Sequence, residues 1–321
     1  MRHHLAFLYK RGVSHATKSG QRMIEAHGLT KHYGAKTVIK ALNFTVKRGE
    51  IVGLLGLNGA GKSTVLKIIA ASLQPSSGYA VIDGQAITAR STQVRRIIGF
   101  LPDSPPLYLE MTVGSYLHHV LRLKLGRIDK RVATDMVDAA ISRTSLTTVV
   151  NHRLGALSHG FRQRVGIAQA IVHQPVVLIL DEPINGLDPV QIIAMRDLIK
   201  SLRQQHTVLL ASHILSEITK TCDRILVLHA GKLSSLRDSK STSLQCEVRA
   251  DPKPVMAQLR ALTGVEQVDW QATAAGSYRL VLRTNTDVRA QVAELLCPYA
   301  LLLLQEKYSD LEQMFHSLVQ D

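Results

Sequence analysis

The stretch Ile51-Val52-Gly53-Leu54-Leu55-Gly56-Leu57-Asn58-Gly59-Ala60-Gly61-Lys62-Ser63-Thr64 decides the fold. Its first five residues form a continuous apolar run, the mark of a parallel strand buried on both faces. The next nine fit G-x-x-x-x-G-K-[ST], and a helix-forming run over residues 65–71 follows directly. Glycines let the backbone curl so that successive N–H groups face a phosphate chain at a helix N-terminus. On this reading Asn58, Gly59, Ala60, Gly61, Lys62, Ser63 and Thr64 bind the phosphates of a nucleoside triphosphate. Lys62 reaches the terminal phosphates, and the Ser63 hydroxyl ligates Mg2+.

Working outward, residues 176–180, 208–211 and 225–228 are apolar runs of the same kind. Together they predict an α/β domain built on a parallel sheet. Asp181-Glu182 closes the first of these runs. A carboxylate at the C-terminal end of a strand beside a phosphate loop is placed to hold Mg2+, the role read for Asp181. Glu182 then faces the terminal phosphate and orients or deprotonates the attacking water. Residues 113–170 lack such a run and space Val113, Leu117, Val120 and Leu121 as a helix does, so a helical subdomain over about residues 103–170 is inserted in the domain. Upstream, residues from Met23 read as strands with turns at 32–34 and 47–50. Residues 1–22, with five Lys or Arg and no acid, read as a basic, disordered leader. The tail from 239 to 321 alternates as strand, helix, strand, strand, helix, strand, with a final helix over 310–319. This suggests a small α+β domain of ferredoxin-like order.

Composition narrows the function. Aromatic residues make up only 4% of the 321, which argues against a base-stacking single-strand binder. The net charge of +14 is concentrated in residues 23–230, which carry 24 basic and 14 acidic side chains. Such an excess suits a polyanionic ligand, an anionic membrane surface or nucleic acid. Cys222, Cys246 and Cys297 are odd in number and lack C-x-x-C spacing, so they read as reduced thiols in a cytosolic setting. No apolar run is long enough to span a bilayer.

Five separate motifs then agree in order over residues 24–230. Leu157-Ser158-His159-Gly160-Phe161-Arg162-Gln163-Arg164 resembles the LSGGQ signature of the ABC ATPase superfamily. Asn185-Gly186-Leu187-Asp188 resembles its D-loop, His213 its switch histidine, and Tyr33 the aromatic that stacks on adenine. The resemblance implies a P-loop NTPase fold over 23–238 that binds and hydrolyses ATP with Mg2+. It implies a head-to-tail dimer in which each ATP touches the phosphate loop of one protomer and Ser158 and Gly160 of the other. Lys62, Glu182 and His213 are its expected catalytic residues, and Asp188 an expected contributor to nucleotide binding. Three positions depart from the family pattern. Asp103 stands where a Q-loop glutamine is usual and is read as touching nucleotide and metal, keeping an acceptor but losing a donor. His159 and Phe161 replace a Gly and a Gln of the signature.

Residues 98–108 (IGFLPDSPPLY) and the segment Ser158–Gly166 resemble ABC subunits that serve type-2 export permeases. The expected partners are a transmembrane permease and a second ATPase subunit, most simply another copy, with no nucleic acid. The expected location is cytoplasmic, at the cytoplasmic face of the membrane. The competing reading is a non-transport ABC ATPase acting on ribosomes or nucleic acid. The single phosphate loop, and the lack of a long insertion between Lys62 and Asp181, weigh against it.

Overall fold

The computed structural model describes residues 22–88, 92–203, 205–235, 242–273 and 276–307. They fall into two compact units that part between Ser235 and Leu236. The leader up to residue 21 and the helix expected over 310–319 lie outside the described residues.

The first unit opens with β1 (Arg22–Tyr33) and β2 (Lys36–Lys47), followed by β3 (Ile51–Leu55) and α1 (Lys62–Ile69). Next come β4 (Ser77–Ile82), β5 (Gln85–Ala86), α2 (Thr92–Arg96) and β6 (Ile98–Leu101). Three helices then run in succession: α3 (Val113–Leu125), α4 (Lys130–Arg143) and α5 (His159–Ile171). The unit ends with β7 (Val177–Asp181), α6 (Pro189–Leu202), β8 (Thr207–Ser212), α7 (Leu215–Thr221), β9 (Arg224–His229) and β10 (Lys232–Ser235).

Two sheets form from these strands. The larger has the order β10-β9-β3-β8-β7-β6, parallel except for β10. The smaller is antiparallel, in the order β2-β1-β4-β5. Strands β3 and β7 are buried at every position because both faces of the large sheet are covered. Val177, Ile179 and Leu209 pack on one side with α1 and the small sheet. Leu178, Leu180, Val208 and Leu210 pack on the other with α3, α4, α5 and α6. The helix spacing of Val113, Leu117, Val120 and Leu121 corresponds to the buried face of α3. Thr112, Asp129, Ser158 and Asp188 each cap a helix by accepting a backbone N–H, a contribution of about 1 kcal/mol apiece.

The second unit comprises β11 (Thr242–Val248), α8 (Met256–Ala261), β12 (Val265–Ala272), β13 (Tyr278–Thr284), α9 (Arg289–Leu296) and β14 (Leu301–Lys307). Its sheet is antiparallel in the order β12-β13-β11-β14, over a core that includes Leu244, Cys246, Leu259, Leu280, Leu282 and Val292.

Candidate functional site

The register of the large sheet brings distant residues to one rim. Leu55 lies beside Ser212, Asp181 beside Ala211, and Leu101 beside Leu180. The residues that follow these strand ends therefore gather at the C-terminal edge, where open α/β sheets bind ligands. There the chain encloses a cavity of about 400 Å³. Its walls include Asn58, Gly59, Gly61, Lys62, Ser63 and Thr64 of the phosphate loop, together with Asp103, Glu182 and His213. Gly61 adopts φ 105°, and a Cβ there would come within 2.9 Å of Ile39 Cγ2. Gly59, at φ 82°, has open space where its Cβ would be. The loop thus needs glycine at both positions for backbone conformation, and at Gly61 for packing as well.

The charges at this rim are held close together. Lys62, 5% exposed, donates from Nζ to the carbonyls of Gly56 (2.8 Å) and Leu57 (3.3 Å). Its Nζ also lies 3.2 Å from Glu182 Oε1 as an ion pair, although that oxygen has no aligned hydrogen-bond donor. The other Glu182 oxygen accepts from His213 Nδ1 at 2.9 Å and from the His213 backbone N–H at 3.4 Å. Glu182 sits at φ 49°, a left-handed conformation costly for a non-glycine residue. Its N–H donates to Ala211 O on β8, and its C=O accepts from Asn185 N–H. The neighbouring strand and the turn together hold this backbone in place.

Beneath the loop, Asp181 is 2% exposed, and its Oδ1 has no hydrogen-bond partner. Burial pushes its carboxyl above the usual carboxylate range, and the charges of Glu182 and Asp103 add to the rise; the Ser63 hydroxyl and Lys62 oppose it. A buried carboxylate oxygen without a donor, beside a hydroxyl and a second carboxylate, is a hard-oxygen donor set suited to Mg2+. Among the described residues, no cluster of three or more His, Cys, Asp or Glu could hold a metal alone.

The other expected binding residues stand apart from this cavity. Ser158, Gly160 and Asp188 do not line it. Ser158 caps α5, and Asp188 caps α6 by accepting from Gln191 N–H at 2.9 Å. Gly160 is closed in: a Cβ would meet Gln191 Oε1 at 2.5 Å. Ala60 packs against the core instead of facing the cavity. Tyr33 is 49% exposed with Lys31 Nζ 5.5 Å above its ring, and it is Val38 that lines the cavity from the β1–β2 hairpin. Val38 and Asn185 are the two lining residues that sequence reasoning missed. Asn185 could have been found from the D-loop resemblance, whereas Val38 carries no sequence signal beyond strand alternation.

Comparison with known proteins identifies the family. The family model described as "ABC transporter" matches residues 39–185. An ABC transporter ATP-binding protein, YhcH of Bacillus subtilis, is 33% identical over 287 residues, 88% of this chain and 89% of that protein. This chain belongs to the ABC transporter ATP-binding family. It is therefore a P-loop ATPase subunit. The bacitracin transport ATP-binding protein BcrA of Bacillus licheniformis is 38% identical over 213 residues, 66% of this chain and 68% of BcrA. The dimeric post-hydrolysis structure of the ATP-binding cassette MJ0796, bound to ADP and Pi, superposes with a TM-score of 0.61 at 27% identity. It covers 67% of this chain and 99% of that one. Among the described residues no helix is long and apolar enough to cross a membrane.

Proposed function

We propose that this ABC ATPase works as a head-to-tail homodimer around two ATP molecules and drives export through a separate transmembrane permease, from the cytoplasmic face of the membrane. The observation that carries the reading is the division of the binding residues. The phosphate loop, Glu182 and His213 share one cavity, while Ser158 and Gly160 lie outside it. A second protomer would supply that missing wall. MJ0796 is dimeric in its nucleotide-bound structure, and BcrA is named for bacitracin transport, which supports the transport reading without identifying a cargo.

In the proposed chemistry Lys62 binds the β- and γ-phosphates and offsets their charge. Ser63, Asp181 and Asp103 are the residues that would hold Mg2+, which when bound neutralises charge developing on the phosphates. Glu182 accepts the proton of the attacking water, and His213 keeps that carboxylate turned to the cavity through the 2.9 Å bond. Tyr33 reaches adenine from the hairpin edge, and Asp188 shapes the opposite face through the D-loop. The surface for the permease is the turn 101–109, where Leu107 packs inward while Tyr108 and Leu109 are exposed. We also assign the second unit a ferredoxin-like topology, on its strand order and element series.

The test is to trap the Glu182→Gln protein with ATP and Mg2+ in its own membranes, solubilise gently and identify what co-purifies. Recovery of a multi-span membrane protein supports the reading. Ribosomal proteins or nucleic acid, with nothing from the membrane, would overturn it in favour of the non-transport alternative.

A further inference from the structure

The departure of His159 from the family signature has a specific structural consequence. His159 is the first residue of α5, directly after the cap Ser158. Its Nε2 lies 3.0 Å from the carbonyl oxygen of Asn185, so the ring N–H donates across 26 residues to the D-loop. The ring also rests against Gly186, where a Cβ would come within 3.2 Å of Nε2. Gly186 adopts φ 72°, so strain as well as contact disfavours a side chain there.

Asn185 is itself tied to the catalytic turn. It lines the nucleotide cavity, and its N–H donates to Glu182 C=O at 3.1 Å. A continuous chain of bonds therefore runs from Ser158 and His159, through Asn185, to the residue that bears the general base. A second contact on the same side, Gly160 against the Gln191 side chain, docks the signature segment on the start of α6.

We propose that His159 is a positioning residue, a brace that fixes the signature helix to the turn carrying Glu182. This rests on the dimer reading above. An ATP bound in the partner's cavity would engage Ser158 and Gly160 here, and the His159 brace would pass that engagement to Glu182 of this chain's own cavity. The two sites then fire together. A glycine at position 159, as the family pattern has, would leave the D-loop carbonyl without this donor.

The test compares full-length wild type, His159→Ala and His159→Gln; Gln retains an N–H donor at similar reach. One readout is amide hydrogen exchange over residues 183–188. The others are kcat, KM and the Hill coefficient for ATP hydrolysis. His159→Ala is expected to speed exchange in that segment, lower kcat about fivefold, as for loss of one hydrogen bond, leave KM within about twofold, and bring the Hill coefficient toward one. His159→Gln is expected to restore most of each. Exchange and Hill coefficient unchanged in His159→Ala would overturn the brace, as would a Gln variant no better than Ala. Failure of the dimer reading shows separately: Glu182→Gln with ATP would sediment as a monomer, and faster exchange in His159→Ala would then support the brace alone and overturn the coupling between sites.

Discussion

The fold holds the phosphate-loop rim and the segment at Ser158, which resembles the family signature, in different ways. At the rim, Lys62, Asp181 and Glu182 are all less than a tenth exposed and bonded to one another or to the strands beneath. At the signature, Ser158 and His159 lie on the surface and serve helix caps and a loop contact. In the proposed dimer the buried rim is the half prepared within one chain, and the segment at Ser158 is the half that meets a second surface.

The largest expected effect comes from breaking the rim. Glu182→Gln and Lys62→Ala should each reduce steady-state phosphate release at least about a hundredfold, the scale for removing a group that acts on the transition state. The two should split in binding: Glu182→Gln keeps ATP affinity and Lys62→Ala loses it. Similar residual release and similar affinity in both would remove the role assigned to Glu182. A smaller effect is expected at the other half. Ser158→Ala should lower turnover about tenfold while leaving the ATP affinity of the isolated chain unchanged, as expected for a hydroxyl that serves another protomer's nucleotide. If ATP affinity of the monomer falls instead, the contrast between the halves is wrong.

Independent of nucleotide is a pH effect on stability, expected beside the edge strand β6. His173 is buried with Nε2 on Ile98 O, and burial, chiefly, lowers its pKa from 6.5 to about 3, Lys124 and His206 adding to the drop. Burial lowers His206 in the same direction. The folded state keeps His173 neutral while the unfolded chain protonates it near 6.5. Stability from this group is therefore full above that pH and declines as pH falls from about 6.5 toward 3. The slope is on the order of 1.4 kcal/mol per pH unit for His173. His173→Gln keeps a donor for Ile98 and should flatten this acid limb in denaturant titrations, with turnover at pH 7.5 unchanged. An acid limb as steep as in wild type would exclude His173 as its source.

How much of this was legible in the sequence follows the same division. Strands β3, β7, β8 and β9 announced themselves because burial on both faces leaves an unbroken apolar run. The phosphate loop was readable because backbone shapes that require glycine are written as glycine at 59 and 61. Strands β4, β5 and β10 were not anticipated: β4 is exposed over its first half, and β5 has two residues. Val38 could not be read as a cavity residue because it reaches the site through packing of the small sheet, which leaves no spacing pattern. Ser158 and Asp188 show a different limit. A hydroxyl or carboxylate before a helix caps that helix in the chain alone, and sequence does not say whether it also meets a ligand. The His159–Asn185 contact appears in no motif, because it depends on a helix start and a loop 26 residues apart closing on each other.

The central claim, that the cavity of one protomer is closed by the signature of another, is tested most directly by mass and nucleotide stoichiometry. The Glu182→Gln protein is held with ATP and Mg2+, separated by size and assayed for bound nucleotide, alongside the same protein carrying Ser158→Arg. The expected result is a dimer retaining two ATP, and a monomer when Ser158 is blocked. A Glu182→Gln chain that stays monomeric while holding one ATP tightly, or a dimer indifferent to Ser158→Arg, would contradict it.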